Sequence, residues 1–288
     1  MKPSGMAKKV VMTCGLILLG AALSGAPVAA EQFQLFPFDP SLSHYIQNYH
    51  NNPDPKGALD FFFRVDLGRF ERLAEESNRP HARAVLMAFY VHILHDSPDE
   101  VLPFARRLAL ESRGGQAAFG TEAIAYGATK HRREALKLIT EVFGLPPATL
   151  DEYDAMQNYP YPGLEAEHWH TLDVLWASFF ATGERMYIRK IVKALYYFQV
   201  MDKEYKERLQ LLAHEHPRAG TKEYKEWVSG LTARESLFSL TLNALSDPEI
   251  LEALRDIAEK ENGRVSILVG TIIKRVDKAR ARKQLSHR

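Results

Sequence analysis

The stretch AVLMAFYVHILHDSPDEVLPFARRL, from Ala84 to Leu108, decides the fold. In its first half Leu86, Phe89, Tyr90 and Ile93 recur at three- and four-residue steps, the period of one helix face. The polar run Asp96-Ser97-Pro98-Asp99-Glu100 then interrupts the pattern. Ser97 followed by Pro98 is a helix start signal, because proline suits the first helical position, where its missing N–H costs nothing. A second amphipathic segment runs to Leu108. The stretch therefore reads as a helical hairpin whose first helix carries small residues.

The same unit recurs in QAAFGTEAIAYGATKHRREALKLI (Gln116 to Ile139), TLDVLWASFFATGERMYIRKIVKAL (Thr171 to Leu195) and ESLFSLTLNALSDPEILEALRDI (Glu235 to Ile257). An earlier copy runs from Asp39 through the turn at Asn52-Pro53-Asp54 to Val65. Asp247-Pro248-Glu249 repeats the start signal, with the aspartate as N-cap. Ile250, Leu251, Leu254, Ile257 and Ala258 form one apolar stripe. Val265, Leu268, Val269, Ile272, Ile273 and Val276 form another. Strand signals are poor: no Asn-Gly or Asp-Gly pair lies between alternating apolar runs. The expected fold is all-α, with about twelve helices at ordinary helix length. Small residues let neighbouring hairpins approach, and one hairpin cannot bury its apolar face alone. Stacked hairpins in an α-solenoid-like array, closed by an amphipathic C-terminal helix from Val265 to Arg280, follow from this. An irregular helical globule is the alternative.

The turns at Asp96 and Thr129 are 33 residues apart, but the later turns at Thr182 and Ser246 follow at 53 and 64. The repeat is therefore degenerate. HRREALKLITEVFGLPP, His131 to Pro147, resembles the second half of a tetratricopeptide repeat, whose units end in an alanine, an aromatic and a proline. The resemblance covers about two units, and the Trp-Leu-Gly-Tyr signature is absent. It implies a helical superhelix with a concave face for protein or peptide.

Residues 1–30 have the pattern of a cleaved secretory signal. Lys2, Lys8 and Lys9 precede an apolar run from Val10 to Leu23, and Val28-Ala29-Ala30 offers a cleavage site. That run falls short of the roughly 20 residues that span a bilayer. Cys14 lies inside it, so a lipid anchor there is not expected. Removal leaves 258 residues with 34 basic and 36 acidic side chains and no cysteine. A chain so near neutrality has no global field to attract nucleic acid. A periplasmic or secreted location is expected, with no later transmembrane segment. The mature chain divides into helical repeats over 31–143, a Pro/Tyr/Gly-rich stretch over 144–163, and repeats with a basic C-terminal helix over 164–288. The middle stretch, with Tyr153, Tyr159, Pro160 and Tyr161, reads either as an interdomain linker or as a long ordered loop.

Candidate chemistry is sparse. Glu167-His168-Trp169-His170, with Glu165 and Asp173, could supply His168, His170 and Asp173 to a metal. On a helix, however, residues two apart face nearly opposite sides, so the site requires extended backbone. His92 and His95 share a helix face. His214-Glu215-His216 lacks the His-Glu-x-x-His spacing of a zinc protease. Glu235-Ser236 is similar to the start of the catalytic helix in lytic transglycosylases, but the downstream segment of that family is missing. No Gly-x-Ser-x-Gly, P-loop or Gly-x-Gly-x-x-Gly motif occurs. The expectation is an exported binding or scaffold module for a protein, peptide or envelope component, with no cofactor. Tyr90, Tyr126, Trp176 and Asn243 are its groove residues, unless that stripe is core. The rival reading is an envelope hydrolase or metal-dependent enzyme using His168 to Asp173. The Lys/Arg-rich C-terminus is a further candidate for contact with a membrane surface.

Overall fold

Aspartate before proline opens three helices. Asp39, Asp54 and Asp247 accept hydrogen bonds from the backbone N–H groups of Leu42, Gly57 and Glu249 at 3.1, 3.0 and 2.8 Å. Each satisfies a donor that the first turn would otherwise leave unpaired. The computed structural model describes residues 33–112, 114–156, 161–197, 203–215 and 217–286. The N-terminal signal over 1–30, Tyr159, Pro160 and His216 lie outside the described residues.

The described residues contain fourteen α-helices and no strand. They are α1 (Pro40–Asn48), α2 (Pro55–Phe62), α3 (Leu67–Glu76), α4 (Ala82–Asp96), α5 (Val101–Glu111), α6 (Gly114–Gly127), α7 (Arg132–Val142), α8 (Pro147–Ala155), α9 (Trp169–Thr182), α10 (Arg185–Lys193), α11 (Lys203–Glu215), α12 (Lys222–Ser246), α13 (Pro248–Lys260) and α14 (Arg264–Ser286). The count exceeds the expected twelve, and the helices outside the four hairpins below include short ones over 40–76 and Pro147–Ala155. Ser97 does not act as the expected cap: its side chain makes no cap hydrogen bond, and Pro98–Glu100 form a 3-10 turn leading into α5.

Four hairpins match the repeated units: α4–α5, α6–α7, α9–α10 and α12–α13. Their order in space is not their order in the chain. Helix α4 packs against α6 on one side and α9 on the other, and α9 in turn packs against α12. The Ala84 unit is therefore central, which explains its composition. Residues Val85 through Leu94 are all buried, as they must be in a helix covered on every side. Helix α9 is similarly buried from Val174 through Ala181. The later units show the cleaner stripes of outer helices. In α14, Val265, Val269, Ile272 and Val276 are at most 1% exposed, and the helix packs on α12 and α13.

Residues 143–168 link α7 to α9, and side chains of α7, α10 and α4 hold the described parts of this stretch. Arg132 donates to the carbonyl of Tyr153. Lys190, only 8% exposed, donates to the carbonyls of Pro162 and Leu164 at 2.6 and 2.7 Å. Tyr161 packs against His92 of α4. Residues 34–288 form a compact unit of their own.

Small residues set the approach of α6 to α4. A Cβ added at Gly127 would stand 2.5 Å from the Val91 carbonyl oxygen and 3.0 Å from its Cα, both backbone. At Gly120 the obstacle is the Leu108 side chain, which can rotate. Gly127→Ala is expected to destabilise by about 1–3 kcal/mol, as overpacking does, and Gly120→Ala by less. Alanine is the better helix former by about 1 kcal/mol, so the sign is informative. A denaturation midpoint for Gly127→Ala at or above wild type would refute the close approach.

Candidate functional site

Where the N-terminal ends of α4 and α9 meet, four ring side chains and an ion pair gather. Helix α9 begins only at Trp169; His168 precedes it in extended backbone as its N-cap, and its Nδ1 accepts from the His170 backbone N–H at 3.2 Å. Extended backbone lets residues two apart approach, and the His168 and His170 rings lie 4.6 Å apart between centroids. His81, just before α4, stacks on His170 at 4.3 Å with planes 22° apart. It meets Trp169 edge-on at 5.6 Å. His81 Nε2 donates to Asp173 Oδ2 at 2.9 Å, and the Arg79 guanidinium stands 3.6 Å from the same oxygen.

The electrostatics follow from crowding. Burial, then the nearby His81, His168 and Arg79, lower the His170 imidazole to about 3. Burial and His81 also lower His168. Both are therefore neutral near pH 7, presenting flat faces and one donor and one acceptor per ring. Asp173 balances Arg79 and orients His81. His168, Trp169 and His170 are half-buried at the surface.

The structure thus brings His168, His170 and Asp173 together and adds His81 and Arg79, which sequence reasoning missed. Imidazole lone pairs lie in the ring plane, so stacked rings aim them along parallel lines rather than at one point. Asp173 Oδ2 is already engaged by His81 and Arg79. Among the described residues no group of three or more His, Cys, Asp or Glu is arranged to hold a metal ion. The His81–Asp173 pair resembles an oriented base, but His81 Nδ1 is buried without a hydrogen-bond partner.

The expected groove residues sit elsewhere. Tyr90 and Trp176 are 0% exposed and Asn243 2%, so these three are core residues of α4, α9 and α12. Tyr126 is half-buried on α6. The helical period they share fits a buried stripe as well as a groove. His92 is likewise buried, between Tyr161 and Tyr187. Glu235 is not in a first helical turn: α12 runs unbroken from Lys222, and Glu235 pairs with Arg234 at 2.8 Å. Ser236 is buried and donates to the Ile191 carbonyl, which ties α12 to α10. A second histidine–aspartate pair, His50 with Asp247 at 2.7 Å, was not foreseen either.

An open, mainly acidic notch of about 410 Å³ lies between the start of α2 and the α4–α5 turn, lined by Asp54, Lys56, Asp96, Asp99 and Glu100. Burial raises the Asp96 carboxyl, and Lys130 pairs with Asp99. No helix of the described residues is long and apolar enough to cross a membrane. No family model matches the chain, and no curated protein or solved structure is significantly similar to it.

Proposed function

We propose that this chain is an exported binding module, a stack of helical hairpins that presents the ring cluster at the α4–α9 junction to a protein, peptide or envelope component. The observation carrying this reading is the cluster itself. Four aromatic or imidazole rings from two separate hairpins meet at a half-exposed surface, with an oriented carboxylate and a guanidinium at its edge. An indole face beside neutral imidazoles suits flat or weakly polar groups. Asp173 and Arg79 add directional hydrogen bonding, and such mixed aromatic–polar patches are where binding energy concentrates. The signal-like N-terminus supports an extracytoplasmic setting.

The His81–Asp173 pair favours a second reading, an envelope hydrolase using His81 as a carboxylate-oriented base. It would require the ring to turn, since its free nitrogen faces inward. The two readings separate experimentally. In crosslinking capture from envelope extract, Trp169→Ala and His168→Ala should each lose at least one species that wild type retains, by about tenfold, a hot-spot effect. Their melting temperatures should stay near wild type. An unchanged set of captured species would remove the cluster as the recognition site. Hydrolysis of envelope polymer that disappears in Asp173→Asn would replace binding with catalysis.

A further inference from the structure

The outward face of α14 carries cations without counterions. Its core face is defined by Val265, Val269, Ile272 and Val276. At 3.6 residues per turn, Lys274 and Lys278 fall on the opposite side and Arg264 and Arg282 on one flank, and all four are exposed. None has an ion-pair partner among the described residues. The acid between them, Asp277, lies on the other flank and pairs with Arg255 at 2.8 Å. Arg280 is turned back, donating to the Ala244 carbonyl at the end of α12. A single-sign run of three cations from Lys274 to Arg282, about 12 Å at 1.5 Å per residue, is unusual on a chain with 37 basic and 36 acidic residues.

Exposed apolar surface accompanies it. Ile267, in the first turn of α14, is 70% exposed. Tyr196 and Tyr197, at 58% and 45%, belong to the turn at 194–197 that packs on α14. Tyr196 is fixed there by its hydroxyl, which donates to Glu261 at 3.1 Å. A bare isoleucine on a cationic helix face, with exposed tyrosines on a turn that packs on the same helix, is the composition of elements that lie in a bilayer interface.

We propose that the outward face of α14 docks the protein, helix axis parallel to the surface, on the anionic headgroups of a lipid bilayer. Lysine and arginine contribute the attraction, at about 1 kcal/mol each near such a surface, and Ile267 and the tyrosines reach the headgroup boundary. The ring cluster at the α4–α9 junction plays no part, so this inference stands or falls separately from the binding-module reading.

Residues 31–288 serve for the test, since the unit from Gln34 onward packs by itself and the apolar N-terminal run would bind any bilayer. The chain should co-sediment with phosphatidylcholine vesicles holding about 30 mol% phosphatidylglycerol at about 50 mM salt, and not with phosphatidylcholine alone. The variant K274E/K278E/R282E should bind about a hundredfold more weakly, three contributions of that size, and melt at the wild-type temperature. Equal binding to neutral and anionic vesicles, no binding to either, or binding unaffected by the variant would each overturn the proposal. So would a concentration-dependent oligomer that the variant abolishes while vesicles stay unbound. That result would assign the stripe to a second copy, through its acidic notch.

Discussion

Acidification from pH 7 to pH 4 is expected to remove about 3 kcal/mol of stability through His92 alone. In the unfolded chain its imidazole titrates near the ordinary value of about 6.5. In the folded protein, burial first and the neighbouring His95 second hold it down to about 3. Above the ordinary value both states are neutral and nothing depends on pH. Between about 6.5 and about 3 the unfolded chain takes up a proton that the folded state refuses. Stability then falls by about 1.4 kcal/mol per pH unit. His170, also lowered to about 3, and His168, lowered as well, act in the same direction. Asp96 opposes them: burial raises its carboxyl, so the folded state gains a proton there first. Denaturant midpoints at pH 7 and pH 4.5 should separate clearly in wild type. In His92→Gln, which cannot titrate, most of the His92 share should vanish even if the variant is less stable at pH 7. The same pH slope in both proteins would mean that His92 does not control acid stability.

The parts of this fold legible in sequence are those that local physics dictates. The stripes of α13 and α14 were readable because each helix covers one side of the core and exposes the other. Asp247-Pro248 was readable because a cap is made within a few residues of chain. Gly127 was legible as a small residue on an inner helix, though not as the point where α6 touches the backbone of α4. The packing order of the hairpins was not readable. It depends on contacts between residues far apart in the chain, such as Lys190 and Arg132 binding carbonyls 21 to 28 residues away. The assignment of Tyr90, Trp176 and Asn243 to a groove went astray for a related reason. A helix covered on both sides has no polar face, so periodicity cannot tell its core side from a binding side. The ring cluster was half visible: His168, His170 and Asp173 are neighbours in sequence, whereas His81 and Arg79 come from another hairpin.

Asp247→Ala should be the most damaging single exchange of a polar side chain, at about 2–4 kcal/mol, because it strands a buried donor and removes a helix cap. His50 lies in the turn after α1, and its side chain is 0% exposed against 12% for Asp247. Its Nε2 donates to Asp247 Oδ2 across 197 residues of chain. Its Nδ1 is buried without a hydrogen-bond partner. The ring rests on Phe179 and Phe180 near the end of α9. Asp247 is also the N-cap of α13. Burial pushes its carboxyl up, but the His50 hydrogen bond and charge, with the backbone N–H groups of Glu249 and Ile250, bring it below the ordinary carboxylate range. Its contribution is therefore complete above about pH 4, the unfolded value, and is lost as pH falls through the lower folded one. Two variants divide the effects. Asp247→Ser keeps a comparable cap, worth about 1 kcal/mol, but is too short to reach His50. His50→Leu removes the imidazole and fills the space beside the phenylalanines. In a double-mutant cycle of these two, measured by denaturant unfolding at pH 7, the coupling should be about 1–3 kcal/mol, as for residues in one buried network. Additive effects would show that Asp247 acts only as a cap. Strong coupling would show that the turn after α1 is held to the last hairpin by one hydrogen bond between groups that no local sequence pattern pairs.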